Sequence, residues 1–351
     1  MSGAFEPARG IVGVSFKTHY NRSSANHKAL QCSTCSKNTD MATLSERLDN
    51  NEIILLDGGV STEIQQRGVP LDSNVWSGLT TKTHPDEVRQ VHEDYIRAGS
   101  QVITANTYST ARHVLESITL GHEAKALNFK SVQLAKEARD NVAAADVWIA
   151  GSMSSMPPLK GNREVVLDKH AEASYRELAE VLAEAGVDLI IAEMMRDIEN
   201  ATMVITAAVS TGLPVWIGYS TMMAEDGIDV KSLRWKNTDS MTNTHDFDTL
   251  VKTLTPLGGQ AAGIMHTQVG DIEPALKVLG KHWSGPKLAY AETGRFLMPE
   301  WSFEEICPPQ EYAAQAASWI KKYGVQIVGG CCGTGPEHIR ALKNKIRGQY
   351  A

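Results

Sequence analysis

Two adjacent cysteines near the C-terminus are the side chains of this chain best suited to chemistry. Cys331 and Cys332 lie in the run Gly-Gly-Cys-Cys-Gly-Thr-Gly-Pro at 329–336, directly after the apolar segment Val325–Val328. Glycines let the backbone turn sharply, so both thiolates can point at one ion from the end of a strand. Buried free cysteines can also serve as small hydrophobic residues, but a pair among four glycines contributes little to a core. The run therefore predicts a site for a soft metal ion.

Other apolar runs also end on polar side chains. They include one aspartate, two glutamates and one histidine, and the set is Asp57, Asn106, Thr107, Tyr108, Ser152, Glu193, Tyr219, His266 and Glu292. If the runs are parallel strands of a barrel, their carboxyl ends meet at one mouth, where such folds carry their active sites. A random set of strand ends would be less polar, so the pattern indicates an enzyme with a soft metal.

The elements that must position these residues alternate between short apolar runs and amphipathic segments. The apolar runs are mostly rich in β-branched residues and lack strict alternation, as expected for parallel strands buried on both faces. They are Ile53–Asp57, Gln101–Asn106, Val147–Gly151, Val187–Glu193, Pro214–Ser220, Ala261–His266, Lys287–Ala291 and Gln326–Gly330. The helical segments between and after them are Asp86–Ala98, Glu123–Val142, Lys169–Ala185, Ile198–Ser210, Phe247–Leu254, Ile272–Leu279, Glu311–Lys322 and Pro336–Arg347. Eight β-α pairs predict an α/β fold, a (β/α)8 TIM barrel, as one domain over 41–351.

An open doubly wound sheet is the alternative architecture. Such a sheet would need a Gly-rich phosphate turn after its first strand, with the spacing G-x-G-x-x-G. The run Asp57-Gly58-Gly59-Val60-Ser61 lacks that spacing. A dinucleotide site is therefore not predicted, and the barrel is favoured.

Composition excludes several classes of partner. The 351 residues are 42% hydrophobic, enough for a sizeable core, and carry a net charge of -7 without a basic block. This argues against nucleic acid or an anionic membrane as a partner, and no apolar run approaches a membrane span. Five cysteines do not form a disulfide framework in a chain of this length, so a reducing, cytoplasmic location is predicted. A homo-oligomer stays possible, because barrel helices hide interface signals.

The first forty residues differ from the rest. They are rich in Ser, Asn, His and Thr, and contain two acidic residues against five Lys and Arg. Residues 1–40 are predicted to be a disordered arm, which could be a weak organelle-targeting segment or upstream translation ahead of Met41. The arm carries Cys32 and Cys35, but a lone C-x-x-C is a weak zinc signal and no metal role is predicted for it.

From Met41 to Arg347 the chain resembles the zinc-dependent homocysteine S-methyltransferases, which include the betaine– and S-methylmethionine–homocysteine enzymes. The shared motifs are the Cys-Cys run, Leu56-Asp57-Gly58-Gly59, Asn74-Val75-Trp76-Ser77, Thr104-Ala105-Asn106-Thr107-Tyr108 and Ile191-Ala192-Glu193. The resemblance implies a (β/α)8 fold, Zn²⁺ held by three protein ligands, and methyl transfer from a small cationic donor to homocysteine, giving methionine. Free thiols have a pKa near 8.5, so a metal that binds the substrate as thiolate supplies the nucleophile.

The resemblance also implies roles for individual residues. Asp57 and Glu193 would face the ammonium group of homocysteine, although an aspartate before two glycines can also simply form a turn. The backbone N–H groups of Gly58 and Gly59 and the Thr107 hydroxyl would face its carboxylate.

One position departs from the family pattern. His266 occupies the place of the first zinc cysteine of the family, after the sixth strand. Histidine is itself a zinc ligand, so His266, Cys331 and Cys332 are the predicted metal ligands. The alternatives are that no zinc binds tightly or that Cys307 moves in. Two thiolates and a neutral imidazole leave the zinc site without net charge, which predicts an altered pH profile or a more reactive donor.

The residues that would contact the methyl donor are less well defined by the sequence. Onium methyl groups favour aromatic faces, and Trp76 and Tyr108 match family positions there, with Trp235 or Tyr219 as further candidates. Met194 stands where betaine users commonly have an aromatic residue, and Glu292 where the family usually has asparagine, a charge compatible with a cationic donor. The segment Glu225–Thr244 could be a lid or a solvated loop.

Other functions stay open from the sequence alone. Within the family, the acceptor could be another thiol or a selenol. A corrinoid-linked half-reaction is possible, but the chain has no room for its own cobalamin module. A non-catalytic, thiol-binding barrel is the alternative of a different class.

Overall fold

The computed structural model describes residues 42–155, 169–233, 245–297 and 300–350. Residues Ala42–Ala351 form one compact unit. The arm predicted over 1–40, with Cys32 and Cys35, lies outside the described residues, as do Trp235 and most of the segment named above as a lid or loop. Among the described helices, none is both long enough and apolar enough to cross a membrane.

Strands and helices alternate along the described chain. The strands are β1 Ile54–Leu55, β2 Val102–Ala105, β3 Trp148–Ser154, β4 Leu189–Met195, β5 Val215–Met223, β6 Val230–Ser232, β7 Ala261–Gln268, β8 Lys287–Glu292, β9 Arg295–Leu297, β10 Glu300–Ser302 and β11 Val325–Val328. The α-helices are α1 Leu44–Asp49, α2 Val60–Gln66, α3 Thr80–Thr83, α4 Pro85–Ala98, α5 Arg112–Glu116, α6 Ala124–Val142, α7 Lys169–Ala185, α8 Ile198–Ser210, α9 Phe247–Leu254, α10 Ile272–Leu279, α11 Pro309–Tyr323 and α12 Pro336–Tyr350.

Eight of the strands form the parallel wall of a barrel. Their order is β1-β11-β8-β7-β5-β4-β3-β2, and a parallel bridge between Leu56 and Val102 joins the two ends. Each of these strands corresponds to one predicted strand, so the predicted (β/α)8 barrel is confirmed. β6 pairs antiparallel with the extended end of β5, and β9 and β10 form a short hairpin after β8.

The wall is apolar on both faces because it separates two cores. Side chains such as Leu56, Ile191 and Trp216 fill the barrel interior, whereas others such as Ile103 and Ile190 pack outward against the helices. This explains why the strands read as continuous apolar runs. Side-chain caps fix the start of α8 and of α9, where Asp197 and Asp246 accept hydrogen bonds from backbone N–H groups of the first turn.

Candidate metal and substrate site

A cavity of about 790 Å³, counted to its open side, lies at the carboxyl ends of the strands, where barrel enzymes carry their active sites. Nine of the ten residues predicted for the site line it. They are Asp57, Gly58, Gly59, Trp76, Tyr108, Glu193, His266, Cys331 and Cys332. Thr107 is the exception. The structure thus brings together side chains that are up to 275 positions apart in the sequence.

The cysteine pair is held by a turn bonded to the end of β8. The Cys331 N–H donates to the Ala291 carbonyl at 2.9 Å, and the Thr293 N–H donates to the Cys332 carbonyl at 2.9 Å. Gly333 has φ +77, and a Cβ there would lie 1.9 Å from the Thr293 carbonyl oxygen. Only glycine fits such a position. The backbone conformation therefore explains why the Cys-Cys run has a glycine directly after the second cysteine.

His266 reaches the cavity from a bulge in β7. The strand pairing with β8 shifts register between Met265 and Gln268, and His266 itself has φ +42. The Thr267 hydroxyl donates to the Met265 carbonyl at 2.8 Å and accepts from the Thr221 N–H at 2.9 Å. These two bonds lock the bulge. Bulges next to active sites re-aim a side chain, and this one aims the imidazole at the cysteines.

Two of the three separations among the predicted ligands match those of a tetrahedral zinc site. Cys331 Sγ lies 3.9 Å from Cys332 Sγ and 3.6 Å from His266 Nδ1, and one ligand atom from each of the three lies within 4.8 Å of the others. Zinc–sulfur bonds of about 2.3 Å and zinc–nitrogen bonds of about 2.0 Å imply sulfur atoms about 3.8 Å apart and a sulfur–nitrogen separation of about 3.5 Å. The residues present therefore fit a tetrahedral zinc with one open position. Cys307 lies outside this group and does not line the cavity.

The electrostatics of the pair favour one thiolate without any metal. A hydrogen bond from Cys332 and the neighbouring His266 lower the pKa of Cys331 to about 6, despite its burial. The bond to Cys331 and burial raise the pKa of Cys332 well above its usual value. Burial disfavours the charged imidazole of His266, but the Glu292 carboxylate and Cys331 outweigh it and raise the pKa of His266 to about 10.

Two buried carboxylates face the same cavity. Asp57 accepts from the Thr104 N–H at 2.6 Å and from the Thr104 hydroxyl at 2.9 Å. Glu193 accepts from the Ser152 hydroxyl and, at 3.2 Å, from the Tyr290 hydroxyl. Burial raises the pKa of Asp57 to about 7 and that of Glu193 to about 8, although the hydrogen bonds oppose this. The ionised form of such a buried carboxylate becomes favourable when a cation pairs with it.

Two groups that were predicted to face a substrate carboxylate are hydrogen-bonded within the chain. The Gly59 N–H already donates to the Thr334 carbonyl at 3.0 Å, because Gly59 packs against the cysteine turn, where a Cβ would lie 2.6 Å from the Cys331 carbonyl oxygen. The Thr107 hydroxyl donates to the Ser152 carbonyl at 2.8 Å and accepts from the Ser152 N–H at 3.0 Å. It therefore ties the β2 end to β3 instead of facing the cavity.

Aromatic side chains form the other wall of the cavity. The Trp76 ring lies edge-on to Tyr108 and to Phe296, with centroids 5.8 and 6.4 Å apart, and Phe296 lies 6.0 Å from Trp301. The Trp301 ring is 6.0 Å from His266, so this wall reaches the proposed metal ligands. The Tyr219 ring, a further candidate for donor contact, packs against Phe247 in the outer core and does not line the cavity.

Trp76 is held in place by a tight turn. Asp72 accepts from the Asn74 and Val75 N–H groups at 2.7 and 2.9 Å, and its backbone exchanges two hydrogen bonds with that of Trp76. Trp76 has φ +50, a conformation that costs energy for a residue with a side chain and is concentrated at functional sites. The motif containing Trp76 thus serves to present the indole to the cavity.

Some site residues were not predicted. Thr104 and Tyr290 lie two positions before Asn106 and Glu292, so they point to the same side of their strands as those predicted strand ends. That spacing could have identified them. Phe296 and Trp301 stand on the β9–β10 hairpin, and their only signal is the presence of aromatic residues in the segment after β8.

Comparison with known proteins agrees with this geometry. The homocysteine S-methyltransferase sequence family matches residues 54–346. The homocysteine S-methyltransferase YbgG of Bacillus subtilis is 27% identical over 320 residues, which cover 86% of this chain and 97% of that protein. The betaine–homocysteine S-methyltransferase 1 of Danio rerio is 26% identical over 320 residues, covering 86% of this chain and 74% of that protein. The metallated form of the homocysteine methyltransferase MmuM from Escherichia coli matches in fold, with a TM-score of 0.63 at 24% identity, covering 85% of this chain and 98% of that one.

The family match runs from β1 to α12 and includes every side chain of the cavity. It confirms the family that the motifs predict and the enzyme class, a methyltransferase. The chain belongs to the homocysteine S-methyltransferase family.

Proposed function

We propose that this protein transfers a methyl group from a small cationic donor to the thiolate of homocysteine held on Zn²⁺, giving methionine. The observation that carries the proposal is the group of His266, Cys331 and Cys332 at zinc-ligand spacing inside a cavity with two buried carboxylates. When bound, zinc would hold the substrate sulfur as a thiolate at neutral pH. A neutral imidazole and two thiolates are a donor set found in catalytic zinc sites.

The acceptor would be oriented by the carboxylates. Asp57 and Glu193 would pair with the ammonium group of homocysteine, which supplies the cation that their burial requires. Asp57 cannot rotate away, since Thr104 bonds both of its oxygens. The substrate carboxylate would face the Gly58 N–H at the cavity wall. Fixing the amino acid end in this way leaves the sulfur to be aimed at the donor, which is how positioning accelerates a two-substrate reaction.

The donor would lie against the aromatic wall. Indole and phenol faces attract onium groups such as those of betaine and S-methylmethionine. In the transfer, the new S–C bond forms while the bond from the methyl carbon to nitrogen or sulfur breaks, and its electron pair stays on the leaving atom. A thiolate and a cation thus become two neutral groups. The negative and positive charges attract each other most strongly in a site that excludes water.

The proposal is tested by incubating the purified protein with homocysteine and each donor carrying a deuterated methyl group. We expect labelled methionine with at least one of betaine and S-methylmethionine. Absence of methionine, together with label on another thiol or a selenol, would identify a different acceptor. Failure to label any acceptor, with homocysteine still protecting the thiols from alkylation, would identify a non-catalytic thiol-binding barrel.

We expect Trp76→Leu to raise the KM for the donor about tenfold, since a desolvated cation–π contact contributes roughly 1–2 kcal/mol. The KM for homocysteine should change little. Trp148→Phe is the matched control, because Trp148 begins β3 at the opposite end of the barrel, beside Arg47. Steady-state kinetics with each substrate varied in turn measure the effect. Equal increases in both KM values would show that the indole does not serve the donor.

We further infer a reducing, cytoplasmic location, because the proposed ligands are thiolates that oxidation would consume. The proposed partners are small molecules. The net charge of -7 supports neither nucleic acid nor an anionic membrane surface, and a homo-oligomer stays a possibility to be tested by light scattering.

A further inference from the structure

The β9–β10 hairpin brings two aromatic side chains to the cavity. Phe296 pairs with Trp301 across the hairpin, their ring centroids lie 6.0 Å apart, and both residues line the cavity. In the described part of the chain these strands form a two-stranded sheet of their own, separate from the barrel wall. A hairpin of this kind is at best marginally stable alone. Contacts with the barrel must therefore hold it in place.

Gln65 binds the backbone of this hairpin from outside. Its Nε2 donates to the Trp301 carbonyl at 2.9 Å, and its Oε1 accepts from the Trp301 N–H at 2.8 Å. An amide side chain presents an N–H donor beside a carbonyl acceptor, so Gln65 satisfies both backbone groups of Trp301 as a neighbouring strand would. Gln65 belongs to α2, the helix that follows β1. The two bonds thus fasten the hairpin to the body of the barrel.

The indole of Trp301 is fixed as well. Its Nε1 donates to the Thr293 carbonyl at 2.9 Å, and only 4% of the residue is exposed. Gly294 has φ +84, and a Cβ there would lie 2.7 Å from that Nε1, so the indole can lie this close to the backbone only because residue 294 is glycine. Trp301 therefore has one defined place in the aromatic wall, set by its backbone bonds to Gln65 and its ring bond to Thr293.

The side chains proposed to bind homocysteine take their hydrogen bonds from the barrel strands instead. Asp57 is bonded by Thr104 of β2, and Glu193 by Ser152 of β3 and Tyr290 of β8. The hairpin carries aromatic rings, whose faces attract an onium group that lies within about 6 Å of the ring centroid. A small displacement of the hairpin should therefore weaken contact with the donor and leave the binding of the acceptor unchanged.

We propose that Gln65 is a positioning residue for the methyl donor. It holds Trp301, and through strand pairing Phe296, at the place where their rings face the onium group. Gln65 does not itself line the cavity, so its effect on the donor passes through these two rings. The inference rests on the proposed function, and it makes the β9–β10 hairpin a determinant of donor specificity.

Steady-state kinetics of Gln65→Ala test this, with homocysteine and the donor that the wild type uses, betaine or S-methylmethionine, varied in turn. We expect the KM for the donor to rise about threefold to tenfold. The KM for homocysteine and the zinc content should stay at the wild-type values. Gln66→Ala is the matched control, since Gln66 is the next residue of α2 and is exposed. This control should leave both KM values unchanged.

Gln65→Glu separates the hydrogen bonds from the size of the side chain. The substitution retains an acceptor for the Trp301 N–H but places a second carboxylate oxygen against the Trp301 carbonyl, where the two oxygens repel each other. The KM for the donor should therefore rise in this variant as well. Gln65→Glu also serves as the test if Gln65→Ala does not fold.

Two results would overturn the proposal. If the two KM values rose together, Gln65 would only support the fold, and if neither Gln65 variant changed the KM for the donor, the hairpin would not need this residue. A wild-type protein that makes no methionine from either donor would reject the proposed function and this inference with it. Wild-type activity that is insensitive to Gln65 would reject this inference alone.

Discussion

Replacing Cys331 and Cys332 together by alanine is expected to remove bound zinc and methyl transfer in one step. Two of the three proposed ligands would be lost, and an imidazole alone does not retain zinc. Without the metal, only a small fraction of free homocysteine is thiolate at neutral pH, and its sulfur is no longer held in line with the donor. We expect a loss of at least about 1,000-fold in kcat/KM, measured together with zinc content by mass spectrometry.

Cys307→Ala is the matched control for this experiment. Cys307 is a free thiol of the same chain but lies outside the ligand group and the cavity. The control should keep both zinc and turnover. If the double variant retained turnover, thiolate activation by a Cys-Cys-His zinc site would be rejected, whereas loss in the Cys307 variant would show that this thiol takes part after all.

Glu193→Gln is expected to weaken homocysteine use strongly while stabilising the free protein. The substitution leaves the substrate ammonium without one of its two buried carboxylates, a loss of about 2–4 kcal/mol, or roughly 30–1,000-fold in kcat/KM. The pKa of Glu193 near 8 and that of Asp57 near 7 belong to the free enzyme. Since both groups must be ionised to bind the ammonium, kcat/KM of the wild type should fall as pH falls below 8. In the variant, the fall should begin only near pH 7.

The stability effect of this substitution has the opposite sign. The pKa of Glu193 rises from 4.5 to about 8 on folding, so the folded protein binds more protons than the unfolded chain between these values. Its contribution to stability is therefore present below pH 4.5 and is lost as pH rises to 8. Glutamine does not titrate and has no such loss. The difference in unfolding free energy between variant and wild type should therefore shift by about 3 kcal/mol in favour of the variant from pH 5 to pH 8. Urea unfolding of both proteins at the two pH values measures this, and a constant difference would contradict the raised pKa.

The fold was largely predictable because it depends on repeated local patterns. Every predicted barrel strand exists, and the predicted bounds of α7 to α10 equal the observed ones. In α8 and α9, an aspartate caps the N-terminus of the helix and an apolar face marks its length. Such signals are short in range, and the apolar face is present even in helices without a side-chain cap, such as α4 and α10.

The details of the site were predictable only in part. The register shifts at Met194 and His266 depend on how β4 and β7 pair with their neighbours, and a one-residue bulge leaves no mark in a hydrophobic pattern. The contact between Glu292 and His266 follows from the second of these bulges. Likewise, the Thr107 hydroxyl and the Gly59 N–H appeared free in the sequence, whereas the folded chain uses both for its own hydrogen bonds.

The central claim is that homocysteine sulfur becomes a ligand of a zinc ion held by His266, Cys331 and Cys332. X-ray absorption at the zinc edge, recorded on the protein before and after addition of homocysteine, measures the ligands directly. We expect about two sulfur neighbours near 2.3 Å and one nitrogen before addition, and a third sulfur afterwards. A sulfur count that does not rise with homocysteine, or a protein without zinc, would contradict the account.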